Sequence, residues 1–582
     1  MIEYWRAFKD NRWPMEIQYS DGRRVEQRIY ELVRNSPPFS SRDQIYPSPC
    51  EWAVEYHLSP WRANLLRPFD FGGLEVLELG AGMGALSHFL AEECSHLTVV
   101  EGTRSRYAVI EERLRQFRNW EGHVGSFFEL ALRKKYDVVC LAGVLEYAEL
   151  FIETPTPFAS LLEKARLCLK EEGVLILAIE NKLGLKYWLG CQEDHLPQPY
   201  AGICDYPPKP SLRTFSRNEL LELLREAGFT DTQFYYPFPD YKIVRCVLSS
   251  ELARLAPDLC LGLTTGSESR SYGSAARPLI PEVLAQRSVT RAGLFEEFSN
   301  SFLVLASARP EADVMGHLAR RAAQGELAWS YSSNRKLPTE TSFAKDSRDG
   351  SLKVSKQLIS DASARERNLM GHGLSVKWKQ QPPHPAERHT LLRVEMVKDA
   401  YFKTGRSLLP EFLGWVFGRF EADAAHLRGE ALDTIFTNAF IREDDSFGLL
   451  DEEWELLSPL PKSWHLLRNL IALSGPNRRV YAGVVEEVSL KAAYLKLCRK
   501  FSLPPQYEAD LRREAALQSL VTLTDDCEAT YFSLKRNMEV KIERWSDRGP
   551  HLSLRERGTF RARERLKRYP RLFRLIKKLR PT

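Results

Sequence analysis

Between Val76 and Glu101 the chain reads V-L-E-L-G-A-G-M-G-A-L-S-H-F-L-A-E, and then T-V-V-E. No other stretch limits the fold so tightly. Val76–Leu79 is a short apolar run flanked by charge, the text of a central parallel strand. Gly80, Gly82 and Gly84 let the backbone turn sharply and pass close to a ligand, and Ala85–Glu92 supplies a helix. Glu101 closes the next strand, 23 residues after Glu78, where a carboxylate can accept both hydroxyls of a ribose. The unit is an α/β one, and it suits a nucleoside-containing cofactor.

The glycine spacing separates two cofactors. A dinucleotide fingerprint has G-x-G-x-x-G, which seats a pyrophosphate on the helix N-terminus. Here the pattern is Gly80-x-Gly82-x-Gly84, with Glu78 two residues ahead. A carboxylate there repels a diphosphate and suits a cationic amino-acid end. The stretch resembles the class I S-adenosylmethionine-dependent methyltransferases, whose first motif has the form E/D-x-G-x-G-x-G. The resemblance implies a Rossmann-like, doubly wound domain that binds S-adenosyl-L-methionine. Glu78 would orient the methionine moiety through the glycine loop, and Glu101 would bind the ribose. One departure stands out. Family members often carry an acid after the third strand for the adenine amino group, whereas this chain has His123-Val-Gly-Ser126, leaving Ser126 or backbone groups for that contact.

Strand and helix keep alternating beyond Glu101. Tyr136–Ala142 reads as a fourth strand, and Gly173–Glu180 as a fifth after a helix through Leu161–Leu169. Ligands of open α/β sheets bind at the carboxyl ends of the strands, so the Gly143–Tyr147 loop is expected to face the methyl group. Glu146 and Tyr147 are the candidates for positioning the acceptor or removing its proton, against a purely structural role. Ahead of the glycines, Ser59 and Pro60 form a helix start, with Arg62 and Arg67 available to an anionic group. Ser216 and Glu219 form a capping box, and Gly228 ends that helix.

After the fifth strand, Glu180, Asn181, Lys182, Asp194, His195, Tyr200 and Tyr206 make a polar and aromatic stretch of the kind that recognises sugars. Residues 51–249 are similar to a bacterial methyltransferase subgroup found with polysaccharide synthesis enzymes. The resemblance implies a saccharide or lipid-linked glycan acceptor in cell-envelope polysaccharide assembly, with glycosyltransferases as partners. Two alternatives stay open: a small-molecule methyltransferase, and a non-catalytic scaffold for glycan enzymes.

At 582 residues the chain is too long for a single core. The expected organisation is an N-terminal extension (1–50), the methyltransferase domain (51–249), a connector (250–301) with a Gly/Ser-rich passage, an α+β second domain (302–500) and a helical region with a basic tail (501–582). The ten cysteines form no C-x-x-C pair, and a residue such as Cys140 inside an apolar strand reads as core. No run of 18 apolar residues spans a bilayer, and M-I-E-Y-W-R at the start is not a signal peptide. A cytoplasmic protein is expected.

In the second domain, T-S-F-A-K and S-L-K-V-S-K flank a turn, and Lys356 ends the hairpin with Glu366 following in an expected helix. Asp433, Asn438 and Asp451 follow later, the last two separated by a second hairpin. A strand lysine, a carboxylate near the incoming hydroxyl, and an amide plus carboxylate for magnesium are what phosphoryl transfer needs. The region resembles the protein kinase-like and aminoglycoside phosphotransferase-like folds, which implies ATP at Lys356, Asp433 as base, and Mg2+ at Asn438 and Asp451. It departs from them in Leu432, in Glu-Glu after Asp451, and in lacking a glycine-rich loop. Some bacterial enzymes that cap a growing O-antigen join a methyltransferase to a kinase, and the chain resembles that type.

The net charge of +5 is unevenly placed: His551–Thr582 holds twelve Lys or Arg against two Glu. Within it, Leu572, Leu575, Ile576 and Leu579 fall on one helical face and Arg571, Arg574 and Lys578 on another. Such a helix over 571–580 can lie on an anionic membrane surface or dock on protein. The absence of an aromatic-interleaved basic domain argues against nucleic acid.

Overall fold

The computed structural model describes residues 20–46, 50–127, 134–193, 196–206, 212–265, 280–380, 384–385, 390–450, 452–474, 481, 483–524 and 526–542. Asp194, His195, Asp451 and the segment 571–580 lie outside the described residues.

Eleven strands and one short bridge strand build a single sheet. They are β1 (Glu75–Leu79), β2 (His96–Glu101), β3 (Trp120–Val124), β4 (Tyr136–Ala142), β5 (Leu169–Glu180), β6 (Asp231–Phe238), β7 (Cys246–Ser249), β8 (Ser301–Ser307), β9 (Glu326–Ser332), β10 (Thr339–Lys345) and β11 (Leu352–Leu358). The order is β3-β2-β1-β4-β5-β8-β6-β7-β9-β10-β11, with His384–Pro385 at the far edge. β1 to β5 run parallel, while β8 runs antiparallel to both β5 and β6. Strands are added to one side of β1 (β2, β3) and then to the other (β4, β5), and this switch of strand order between β1 and β4 opens the crevice where such sheets bind ligands.

Alternation along the strands feeds two cores. Leu77, Leu79, Val139 and Leu141 face one core with Leu161 and Leu162 of the helix Pro157–Leu167. Val76, Val138 and Cys140 face the other, with Phe89 and Leu90 of the helix Ala85–Glu93. Burial on both sides explains why these strands read as near-continuous apolar runs.

The expected boundary at 301/302 differs from what the sheet does. Ser301–Ser307 is wholly buried and sits between β5 and β6, so it completes the first sheet instead of opening a second domain. Its sequence, S-F-L-V-L-A-S, has apolar residues on both faces, as an inner strand requires. The hairpin β10–β11 likewise extends that sheet through β9 and β7. Residues 250–300 are helical in part: Cys260 joins one core of the sheet while Leu261 and Val283 join a separate apolar core. That separate core is built mainly from residues 358–538, including the helices Lys462–Ile471, Leu490–Lys500, Tyr507–Val521 and Cys527–Glu539.

A second difference concerns Glu366. The expected helix is instead a strand, Glu366–Gly371, paired with Leu374–Lys379. His372 and Gly373 both take positive φ, 53° and 76°. That is the backbone of a tight hairpin turn, whose twist matches the flanking strands.

Candidate active site

A cavity of about 370 Å3 lies at the carboxyl ends of β1, β2 and β4, lined by the Gly80–Gly82 turn, Glu78, Glu101, Ser126, the Ala142–Val144 turn and Tyr147. The turn is tied to the sheet through backbone: Gly80 and Ala81 N–H both donate to the Val100 carbonyl at 2.9 and 3.2 Å. Gly82 has φ +61°, and a Cβ there would meet only His57 Cε1, at 3.9 Å. Gly82 and His57 both line the cavity, so a side chain at 82 would project into the space a ligand needs.

Glu101 is buried and fixed. Its Oε2 accepts from Gly82 N at 2.8 Å, and its Oε1 accepts from Thr103 N and Oγ1 at 3.0 and 3.1 Å. Burial raises its carboxyl above the usual range. Three of roughly four lone-pair positions are used, leaving capacity for a ribose hydroxyl. Glu78, 4 % exposed, accepts from Ser87 Oγ. Burial pushes it up to about 7, with Ser87 and the nearby Arg62 opposing.

Arg62 lines the same cavity from the turn Pro60–Leu65, where Ser59 accepts from Trp61 N as the N-cap. Its Nη1 donates to the carbonyls of Tyr241 and Lys242 at 3.1 and 2.8 Å, and its guanidinium lies 4.5 Å from the Tyr56 ring. Its Nε is buried without a hydrogen-bond partner among the described residues. A cationic donor with an orphaned N–H, a shielded acid and an open glycine turn fit the zwitterionic end of S-adenosylmethionine, which when bound supplies a methyl group on a sulfonium. Arg67 is elsewhere: it donates to Asn64 and Ser41 and lies over Phe89.

The cavity has a further wall absent from the expected set. His57 Nε2 donates to Asp21 at 2.9 Å, and Arg106 Nη2 donates to the same Asp21 oxygen at 2.6 Å. Burial brings His57 down to about 4, so it is neutral at physiological pH despite Asp21. Nothing in the text around Asp21 signals this role. Tyr241 and Lys242 also line the cavity. The run F-P-D-Y-K, polar between two apolar strands, was the available signal for them.

The remaining candidates are distributed unevenly. Tyr147 faces the cavity, its ring stacked on Phe151 at 6.4 Å. Glu146 is 1 % exposed and lies behind the wall, where Tyr241 Oη donates to its Oε1 at 3.3 Å. The stretch expected to form a sugar-binding rim is largely spent on internal bonds. Glu180 holds Lys186 and Lys242 at 3.2 and 3.1 Å, Lys182 donates to Glu219 and Asp205, and Tyr206 bonds Thr214. Tyr200 is exposed. Of the expected rim, Glu180, Asn181, Lys182, Tyr200 and Tyr206 do not line the cavity.

In the second region, Lys356 pairs with Glu453 at 3.1 Å and not with Glu366, which bonds Lys377. The strand geometry at 366 points that carboxylate across its own hairpin. Glu453 also accepts from Trp378 and Trp454 and pairs with Arg335. Burial works against its charge, but Lys356 and Arg335 outweigh it and hold the carboxyl at about 2. Asp433 Oδ2 accepts from Trp454 N at 2.8 Å, and Asn438 Nδ2 donates to the Asp433 carbonyl at 3.2 Å. Lys356, Asp433 and Asn438 are therefore joined through Glu453 and Trp454. Among the described residues no group of three or more His, Cys, Asp or Glu is arranged to hold a metal ion, and no helix is long and apolar enough to cross a membrane.

Residues 77–175 match a family model described as a methyltransferase domain. No curated protein matches the chain. Among solved structures, a methyltransferase from Thermotoga maritima described as a possible histamine N-methyltransferase is similar at 15% identity, over 44% of this chain and 91% of its own, with a TM-score of 0.26. The N-methyltransferase NodS from Bradyrhizobium japonicum is similar at 17% identity, over 30% and 88%, with a TM-score of 0.23. The chain carries an S-adenosylmethionine-dependent methyltransferase domain.

Proposed function

We propose that this domain transfers the methyl group to a saccharide or lipid-linked glycan in cell-envelope polysaccharide assembly. The observation that carries the acceptor reading is the mouth of the cavity. Two pairs of rings line it from separate segments, Trp52 with Tyr56 and Tyr147 with Phe151. Flat aromatic faces flanked by arginine and lysine suit a sugar, whose apolar C–H face stacks while its hydroxyls take hydrogen bonds. Phe151 is 41 % exposed and available to such a ligand.

The test is transfer of labelled methyl from S-adenosylmethionine into extracted envelope glycans. Trp52→Ala and Phe151→Ala should each raise the acceptor KM about fivefold, from the loss of roughly 1 kcal/mol per ring, with cofactor affinity unchanged. Label entering only small molecules, or none entering glycans, would contradict the saccharide reading.

For residues 302–500 the proposal is a phosphotransferase-like site that takes magnesium-ATP. It is supported by the chain of contacts from Lys356 through Glu453 and Trp454 to Asp433 and Asn438. Millimolar magnesium-ATP should raise the melting temperature of the whole protein. The shift should vanish in Lys356→Met and persist in Asp433→Ala. No shift in the unaltered protein means the region is structural.

A further inference from the structure

Four ionisable side chains, Glu146, Glu180, Lys186 and Lys242, meet behind the cavity at exposures of 0–5 %. Lys186 and Lys242 both bond Glu180, and among the described residues Glu146 has no ion pair of its own. Among the described residues its Oε2 is buried with no hydrogen-bond partner, and its Oε1 accepts from the Tyr241 hydroxyl. Tyr241 lines the cavity, so this phenol is the link between the cavity and the buried carboxylate.

The position of the phenol is built in. Asp240 Oδ1 accepts from Lys242 N and Ile243 N at 2.9 and 3.2 Å, Tyr241 N donates to Ser301 Oγ at 3.2 Å, and Arg62 holds the Tyr241 carbonyl. Gly143, with φ +70°, leaves room: a Cβ there would lie 2.6 Å from Tyr241 Oη. The hydroxyl thus rests on the turn that follows β4, at the carboxyl end of the strand where the reacting groups meet.

We infer that Tyr241 is a catalytic residue of methyl transfer, relaying the acceptor's proton to Glu146. The inference rests on the methyl-transfer reading of the cavity. The acceptor's lone pair forms the new bond to the methyl carbon as the carbon–sulfur bond breaks, its electron pair passing to sulfur. The acceptor's proton passes to Tyr241 oxygen while the Tyr241 proton passes to Glu146 Oε1. Phenol, thioether and neutral carboxylic acid remain, and water entering after product release takes the proton away.

The charge around the pair sets the pH dependence. Facing Glu146 are Glu180, Lys242 and Tyr241; facing Tyr241 are also Tyr56 and Tyr147; and Lys186 completes the set. Burial raises Glu146 to about 7, Glu180 adds to the rise, and Lys242 opposes it. The relay needs the carboxylate, so its rate rises with pH through about 7 and falls below it. Removing the Lys242 charge moves that limb to higher pH.

Calorimetry in two buffers of different ionisation enthalpy tests the arrangement without turnover. A sulfonium in the cavity, on the far side of Tyr241 from Glu146, still favours the ionised carboxylate through its charge, so S-adenosylmethionine should release a fraction of a proton near pH 7 that S-adenosylhomocysteine does not. The difference should disappear in Glu146→Gln. In glycan methylation, Tyr241→Phe should lose at least tenfold in kcat and the limb near pH 7, with cofactor affinity unchanged. Equal proton release by the two ligands, or release that persists in Glu146→Gln, overturns the relay. So does a Tyr241→Phe enzyme with unaltered rate and pH profile. Absence of any cofactor binding in the unaltered protein removes the methyl-transfer reading itself, a distinct result.

Discussion

Gly82→Val should reduce affinity for S-adenosylmethionine roughly 100-fold or more while the protein stays folded. Two effects act together. A β-branched residue at φ +61° carries about 1–3 kcal/mol of backbone strain, which the turn can relieve only by moving the N–H that bonds Glu101. The methyl groups then occupy the cavity beside His57, where the cofactor has to approach backbone. Strain alone lowers the melting temperature by a few degrees; cavity filling alone removes binding. Calorimetric titration alongside thermal melting separates them. Near-native affinity in Gly82→Val would show that the cofactor does not pass over this turn.

Val304→Asp should unfold the methyltransferase domain. Val304 is fully buried in β8 and pairs with Leu177 of β5 and Phe234 of β6. A carboxylate there has neither water nor a cation, and costs about 4–5 kcal/mol or more, much of a typical domain's stability. If Ser301–Ser307 instead belonged to an independent second domain, the same substitution would leave cofactor binding intact. Circular dichroism melting and cofactor titration of the variant give the answer, and retained binding would contradict the sheet order.

These two sites also mark what could be read from the residues alone. The first five strands, the glycine turn and Glu101 are local: a strand, a turn and a carboxylate within 27 residues carry their own geometry. The capping box at Ser216 and Glu219 is local too, and it forms as expected. β8 is not. Its partners, Leu177 and Phe234, stand far off in sequence, and an apolar run of seven residues does not say which sheet it enters. Glu366 differs from the expectation for a related reason: its strand depends on the tight turn at His372 and Gly373 and on the returning strand Leu374–Lys379.

The cavity shows the same division. Glu78, Gly80, Gly82, Glu101, Ser126 and Tyr147 meet at it, the first four from the β1–helix–β2 unit and the last two from the loops that follow β3 and β4. Glu146, one residue from Tyr147, turns inward, because the short helical turn Leu145–Tyr147 sends successive side chains to different sides. Asp21, His57, Arg62, Arg106, Tyr241 and Lys242 reach the cavity from five separate segments. No periodicity within any one of them reports that meeting.

The most direct measurement is a calorimetric titration of the full chain with S-adenosylmethionine and, separately, with NAD. The account predicts one site for S-adenosylmethionine, no response to NAD, and a loss of roughly 10–100-fold in Glu101→Ala, from charge-assisted bonds worth about 1.5–3 kcal/mol. Binding of NAD with no response to S-adenosylmethionine would contradict it.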